Sequence, residues 1–344
     1  MSEKLTAFLA RKNIEISAKK YFIDAMSAMA MGLFSSLLVG TILNSIGMKF
    51  GWVFLTETVW PICRDMTGAA IGIAIAHSLK AHSFVLFSAT IVGFAGNKLG
   101  GPVGAFIATI IATELGKAIS RETKIDLIVT PMVTILSGIA ISALVGPAMS
   151  AFMTWLGALI MQATELQPFW MGVTVSVLVG VILTLPISSA AICMMLALGG
   201  LAGGAATVGC CAQMIGFAVM TYRDNGWGGV AAVGIGTSML HMSNIIKKPI
   251  IWIPPTLTAA ILGPLSTMLF KLENIPLGSG MGSCGFVGQI GTFTAMQEAG
   301  RTGASLWFAV ILLHFVAPAL LSFLFTWIFR KLHWIQDGDL KLDL

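Results

Sequence analysis

Apolar runs of membrane-spanning length succeed one another along almost the whole chain, at about 21–48, 53–79, 83–97, 102–118, 125–147, 149–163, 169–185, 188–204, 206–222, 227–241, 249–270, 276–295 and 303–329. A helix needs roughly 20 mostly apolar residues to cross the hydrocarbon core of a bilayer. The connections between the runs are too short to hold a soluble domain. Of the 344 residues, 56% are hydrophobic and 10% charged, against about 25% charged in soluble domains. The chain therefore reads as an all-α polytopic membrane protein. Runs near 83–97, 227–241 and 276–295 are short or interrupted by glycine, a pattern of broken or re-entrant helices. About ten transmembrane helices in two bundles, with re-entrant hairpins, are expected.

Residues 1–20, MSEKLTAFLARKNIEISAKK, carry Lys4, Arg11, Lys12, Lys19 and Lys20, too much charge for a signal peptide. They read as a cytoplasmic basic amphipathic arm. Residues 21–165 and 166–330 form the two expected bundles, divided where TELQP breaks the apolar pattern, and residues 331–344 form a short tail. Arg330 and Lys331, directly after an apolar run, place that tail in the cytoplasm by the positive-inside tendency. Both termini inside a bacterial cell membrane require an even number of spans. The net charge of +5 arises largely at such juxtamembrane positions, which suits an anionic leaflet rather than nucleic acid. Cys63, Cys193, Cys210, Cys211 and Cys284 lack CxxC or histidine spacing, so they read as small packed side chains.

Many of the 38 glycines lie inside apolar runs, where they permit close helix contact or unwinding. GFAGNKLGGPVGAF (93–106) is echoed by GFAVMTYRDNGWGGVAAV (216–233): each has Gly-Phe-Ala, a polar interruption and Gly-Gly before small residues. Arg64 and Asp65 read as an interfacial turn or a self-neutralising pair. Asn97 and Lys98 occupy a glycine-bounded break that is either a turn or a site exposing an amide. Glu114 and Lys117 have the spacing of a helical ion pair. His77, His82 and His314 are separated in sequence and read as interfacial groups.

The stretch HMSNIIKKPIIWIPPTL (241–257) is different. Its prolines remove backbone donors and break the helix, beside His241, Asn244, Lys247 and Lys248. Taken alone it reads as a cytoplasmic turn with Trp252 as interfacial anchor, or as a binding element. GSGMGSCGFVGQIGT (278–292) has too many glycines for an ordinary stable helix and suggests a re-entrant hairpin whose backbone faces a cavity. It lacks the Lys-Ser/Thr ending of a phosphate-binding loop. No paired carboxylates, metal-ligand cluster or activated nucleophile stands at recognisable spacing, so neither an enzyme nor a cofactor is expected.

NIIKKPIIWIPPTLTAAILGP followed by GSGMGSCGFVGQIGT resembles the membrane IIC-like proteins of the bacterial phosphotransferase system, in the branch of toxin regulators described after the perfringolysin regulator. The resemblance runs over most of residues 20–330. It implies an EIIC-like fold, usually a homodimer, with one bundle for dimerisation and the other for substrate. The Gly-Ile-Thr-Glu-Pro motif of glucose-type members is missing, so neither Glu114 nor Glu298 takes the role of its glutamate. Phosphotransfer would need separate IIA and IIB proteins, because the chain has no soluble segment to hold either.

The leading expectation is a transporter that moves a small polar solute, a carbohydrate, by alternating access. The expected ligand groups are His241, Asn244, Lys247, Gln289 and Asn97, with Pro254, Pro255, Gly278, Gly280, Gly282 and Gly285 shaping the walls and exposing backbone. The competing expectation is a membrane-embedded ligand sensor without transport.

Overall fold

A computed structural model describes residues 8–342, apart from the side chain of Lys49. Residues 1–7 of the basic arm, including Lys4, and the last two residues of the tail lie outside the described part. The described residues are helical, and the β structure among them is one isolated bridge between Gly200 and Asn274. In chain order the helices are α1 (Lys20–Met48), α2 (Phe54–Asp65), α3 (Thr67–Ser78), α4 (Ser83–Ile119), α5 (Asp126–Thr164), α6 (Pro168–Thr184), α7 (Ser189–Met195) and α8 (Gly200–Gly236). There follow α9 (Met242–Lys247), α10 (Pro249–Phe270), α11 (Pro276–Ser279), α12 (Val287–Glu298) and α13 (Ala304–Lys331).

Among the described residues six helices (α1, α4, α5, α8, α10, α13) are long and apolar enough to cross a membrane. The pair α2 and α3, bent by 42°, makes a seventh if it is one span. This is fewer than the apolar runs suggested, and the reason is continuity. Two runs merge in α4 and two in α5, while α6 has only 17 residues.

Helix α4 is nevertheless not straight. Gly100 and Gly101 have non-helical dihedrals, and a methyl group placed on Gly96 would lie 2.7 Å from the Cα of Ala105. In a continuous helix those residues would be about 13 Å apart, so the chain folds back at Gly101. Val92 packs with Ala108 and Ala112 across the two arms. Helix α8 turns back in the same way at Gly226, where Gly229 abuts Asn225 and Thr221.

The chain forms two compact units. One comprises the described residues up to Gly40 together with Glu57–Phe152; the other comprises Thr41–Thr56 and the residues from Met153 onward. One boundary falls inside α5, between Phe152 and Met153, and TELQP lies at the end of that helix.

In the first unit, small residues on α3 face small residues on α4. Gly72 lies against the Ala89 carbonyl and Gly68 against that of Gly93, so the two backbones meet at a spacing larger side chains forbid. The described part of the arm docks on the same unit: Lys12, buried, donates to the Ser120 carbonyl and pairs with Glu122. Lys117, fully buried, donates to the carbonyls of Asn13 and Leu79 and pairs with Glu114 at 3.0 Å. Glu114 thus forms the local ion pair its spacing suggested.

The second unit is built around the outward arm of α8, flanked by α6, α10 and α13. A methyl on Gly209 would lie 1.9 Å from the Ser176 carbonyl oxygen of α6. Val208, Leu262, Leu272, Met296 and Leu313 form an apolar cluster at one side of this arm.

Candidate functional site

Three polar clusters are buried in the second unit, and each depends on a break in regular helix. The first lies where α12 crosses α8 and α13. Gln289, near the start of α12, donates through Nε2 to His314 Nδ1 at 3.3 Å and to Cys211 Sγ at 3.4 Å. Accepting at Nδ1 leaves the proton of the neutral His314 ring on Nε2. That N–H, the Gln289 carbonyl oxygen Oε1 and the Thr292 hydroxyl are all buried without a partner. Thr292 lies three residues after Gln289, on the same face of α12. Each unpaired buried group costs about 1–3 kcal/mol, so each calls for a polar partner.

Gln289 also lines a cavity of about 520 Å³ with Gln297, Thr294 and the aromatic rings of Phe286, Phe293, Trp307 and Phe315. Phe293 and Trp307 have ring centroids 4.4 Å apart. Phe286 reaches the cavity from a left-handed backbone position, φ +60°, within the glycine stretch.

The second cluster contains the stretch that the sequence singled out. His241 is fully buried and stacks on Phe217 at 5.1 Å. Asn244 donates to His241 Nδ1 at 3.3 Å and to the Lys341 carbonyl at 3.0 Å, so His241 also presents an N–H at Nε2, again unpartnered. The carboxylate of Asp224 accepts from the backbone N–H groups of Gly338 and Leu340, and Asn225 bonds both Leu340 and Leu342. Lys248 pairs with Asp339 at 2.6 Å. The C-terminal tail is thereby strapped across the turn of α8 and the start of α9.

The third cluster was not anticipated. Gln213, fully buried in the middle of α8, accepts from Trp252 Nε1 at 3.1 Å and donates to Thr256 at 3.1 Å. Thr184 reaches the same amide oxygen and bonds Ser238 at 2.8 Å. Trp252, half-buried, thus donates into a buried network.

The sequence-selected residues separate between these clusters. Gln289 belongs to the first; His241 and Asn244 belong to the second. Their partners are different, and no hydrogen bond joins the two groups among the described residues. Lys247 is exposed at the end of α9. Pro254 and Pro255 are buried where the regular α-helical part of α10 begins, positions at which a missing N–H costs nothing. Asn97 is half-buried in the first unit, beside Gly68.

The glycine stretch corrects one expectation directly. Several of its backbone groups are already paired within the protein, so they are not aimed at a ligand. Ser189 donates to the Gly280 carbonyl, Gly288 N–H to the Gly282 carbonyl, and Asn274 to the Gly288 carbonyl. Gly282 and Gly285 take positive φ, +53° and +51°, and Gly282 lies against the backbone of Cys210 and Cys211. Gly278 lies against the Asn274 side chain and Gly280 against the backbone of Ser189. These glycines fold the hairpin and thereby position Gln289 and Phe286. His314, read from sequence as interfacial, is fully buried. Its signal was present as a lone imidazole in the middle of an apolar run, a costly placement that calls for a partner.

No group of three or more metal-capable side chains occurs among the described residues. The family model described as "Phosphotransferase system, EIIC" matches residues 23–342. No curated protein and no solved structure matches the chain.

Proposed function

From membership of the phosphotransferase-system EIIC family, to which this multi-pass membrane chain belongs, we propose that the protein binds a small polar solute, a carbohydrate, and moves it across the membrane by alternating access. An EIIC component is not itself a phosphotransferase, so phosphorylation of the solute would fall to separate IIA and IIB proteins. The proposal includes a homodimer with both termini cytoplasmic and about ten passes when hairpin arms are counted separately.

The observation that carries this reading is the trio of unpartnered buried groups at Gln289, Thr292 and His314, of which Gln289 lines a cavity faced by aromatic rings. A sugar hydroxyl both donates and accepts. Gln289 Oε1 accepts, His314 Nε2–H donates, and the Thr292 hydroxyl does either. Rings such as Trp307 and Phe293 offer flat apolar surfaces for the C–H faces of a pyranose. A small number of placed polar groups in an otherwise apolar pocket is the usual composition of a small-molecule site.

A sensor of the toxin-regulator type, without transport, draws on the strapped tail: ligand arriving near His241 and Asn244 would compete with the Lys341 carbonyl and release the segment. A thermal-shift screen of mono- and disaccharides on the purified protein tests binding at the first cluster. A sugar at one hundred times its Kd adds about 2.7 kcal/mol of stability. The shift is expected for wild type and lost in Gln289→Ala and His314→Ala. Equal shifts in all three proteins would remove this cluster from consideration, and a shift lost only in Asn244→Ala would favour the sensor.

A further inference from the structure

A second cavity, of about 770 Å³, lies in the second unit between α8 and α13. Its lining is graded along both helices. On α13, Phe323 is followed by Trp327 one turn later and by Arg330 and Lys331 one turn beyond that. On α8, Val219 is followed by Tyr222 and Arg223, and the returning arm adds Trp227 and Val230. Spacings of three and four residues keep each series on one helical face. The groove thus passes from apolar to aromatic to cationic in one direction, the order a bilayer leaflet presents from its acyl region to its phosphates.

The cations are not consumed by the protein. Among the described residues Asp337 is the carboxylate that pairs with them, bonding Arg330 and lying 3.6 Å from Arg223, while Asp224, next to Arg223 in the chain, is held by the backbone N–H groups of Gly338 and Leu340. Two carboxylates, Asp337 and Asp224, against Arg223, Arg330 and Lys331 still leave a local excess of positive charge among the described residues. Arg223 is 68% exposed, and Arg330 Nη2 is buried with no partner. Lys331 Nζ rests 3.9 Å from the centre of the Trp327 ring, an arrangement that holds the ammonium beside the groove. Simple snorkelling of exposed basic side chains would not require a cavity between the helices or an inward-facing guanidinium.

We propose that this groove is a binding site for one anionic phospholipid of the surrounding leaflet, with its phosphate at Arg223, Arg330 and Lys331 and its acyl chain along Val219 and Phe323. The site is independent of the solute pocket, since it shares no lining residue with it. Basic pockets between transmembrane helices are a known chemistry for anionic headgroups.

Native mass spectrometry of the delipidated full-length protein tests this with phosphatidylglycerol and phosphatidylcholine of identical chains, and with glycerol phosphate as a chain-free probe. Wild type is expected to retain one phosphatidylglycerol roughly tenfold better than phosphatidylcholine, and Arg223→Gln/Lys331→Gln to lose that preference. Arg64→Gln/Lys98→Gln, which removes exposed cations of the first unit, is expected to keep it. Equal retention of the two lipids by wild type, an unchanged preference in Arg223→Gln/Lys331→Gln, or equal binding of glycerol phosphate would overturn the proposal. If that double variant does not fold, fluorescence quenching decides. Brominated phosphatidylglycerol should quench wild type more than brominated phosphatidylcholine, and Trp227→Phe/Trp327→Phe should remove the difference; equal quenching by the two lipids contradicts the site.

Discussion

The two folded-back helices, α4 and α8, use the same backbone device for different ends. Gly101 has φ +64° and ψ −165°, and Gly226 has φ +60° and ψ −158°. This region is essentially closed to residues with a Cβ. The residues eight apart that flank each turn come together in both, Gly96 with Gly104 and Thr221 with Gly229. Beyond the turn they diverge. The second arm of α4 continues from Pro102 as regular helix to Ile119. The second arm of α8 ends at Gly236, after which Thr237 is extended and Ser238–His241 forms a 3-10 turn. One return completes a pair of packed helices; the other stops short and leaves His241 and Ser238 buried among polar partners. A glycine turn supplies the reversal, but the length of the returning arm decides whether polar groups are carried into the interior.

This contrast is open to mutation. At both turn glycines a methyl group would meet nothing within 4 Å, so alanine tests conformation without steric conflict. Gly226→Ala is expected to cost most, toward the upper end of about 1–3 kcal/mol, because the turn also presents Asp224 and Asn225 to the tail. Thermal unfolding should fall, and protease should cut the tail sooner. Gly101→Ala should lower stability within the same range and leave tail cleavage unchanged. Release of the tail in both variants would show that the two turns are not separate in effect.

Removal of residues 337–344 comes next. It withdraws the backbone partners of Asp224, Asn225 and Asn244, and a loss of about 1–2 kcal/mol is expected. Hydrogen exchange should quicken around 221–226 and 241–248 but not around 96–104. Exchange that quickens equally in both regions would contradict the assignment of the tail to the second turn.

The smallest effect concerns the arm. The hydrogen bond from Lys12, followed by attraction to Arg11, holds the Glu122 carboxyl below its ordinary value. A carboxyl lowered in the folded state stabilises above its unfolded pKa, about 4.3, and that contribution fades as pH falls through the folded value. Proteolysis of the arm should therefore accelerate below about pH 4, and Glu122→Gln should remove the pH dependence. An arm equally resistant at pH 3 and pH 7 would show that the ion pairs do not hold it.

The sequence made the fold class legible because lipid solvation leaves little choice: runs of spanning length with few charges must be helices. The number of passes was less legible. Nothing in an apolar run says whether two runs join in one unbroken helix, as in α5, or reverse, as at Gly101. The glycine echo marked both reversals, although only the backbone dihedrals reveal that the shared feature is a turn. At the site, Gln289 was accessible to reasoning as a lone amide in a glycine-rich break, and Asn244 as a polar group beside prolines. Their partners were not, since Gln289 meets His314 across 25 residues and Asn244 meets Lys341 across 97. Gln213 carried a signal of the same kind, one buried amide among apolar neighbours. The stretch around it drew no attention because it lacks prolines and clustered charge.

The most direct measurement is exchange of a labelled sugar, identified by the ligand screen, in proteoliposomes containing wild type, Gln289→Ala, His314→Ala or Asn244→Ala. The expected result is exchange by wild type, at least tenfold slower exchange by the Gln289 and His314 variants as the loss of one or two buried hydrogen bonds requires, and near-normal exchange by Asn244→Ala. Undiminished exchange by both the Gln289 and His314 variants would contradict the assignment of the solute to this cluster.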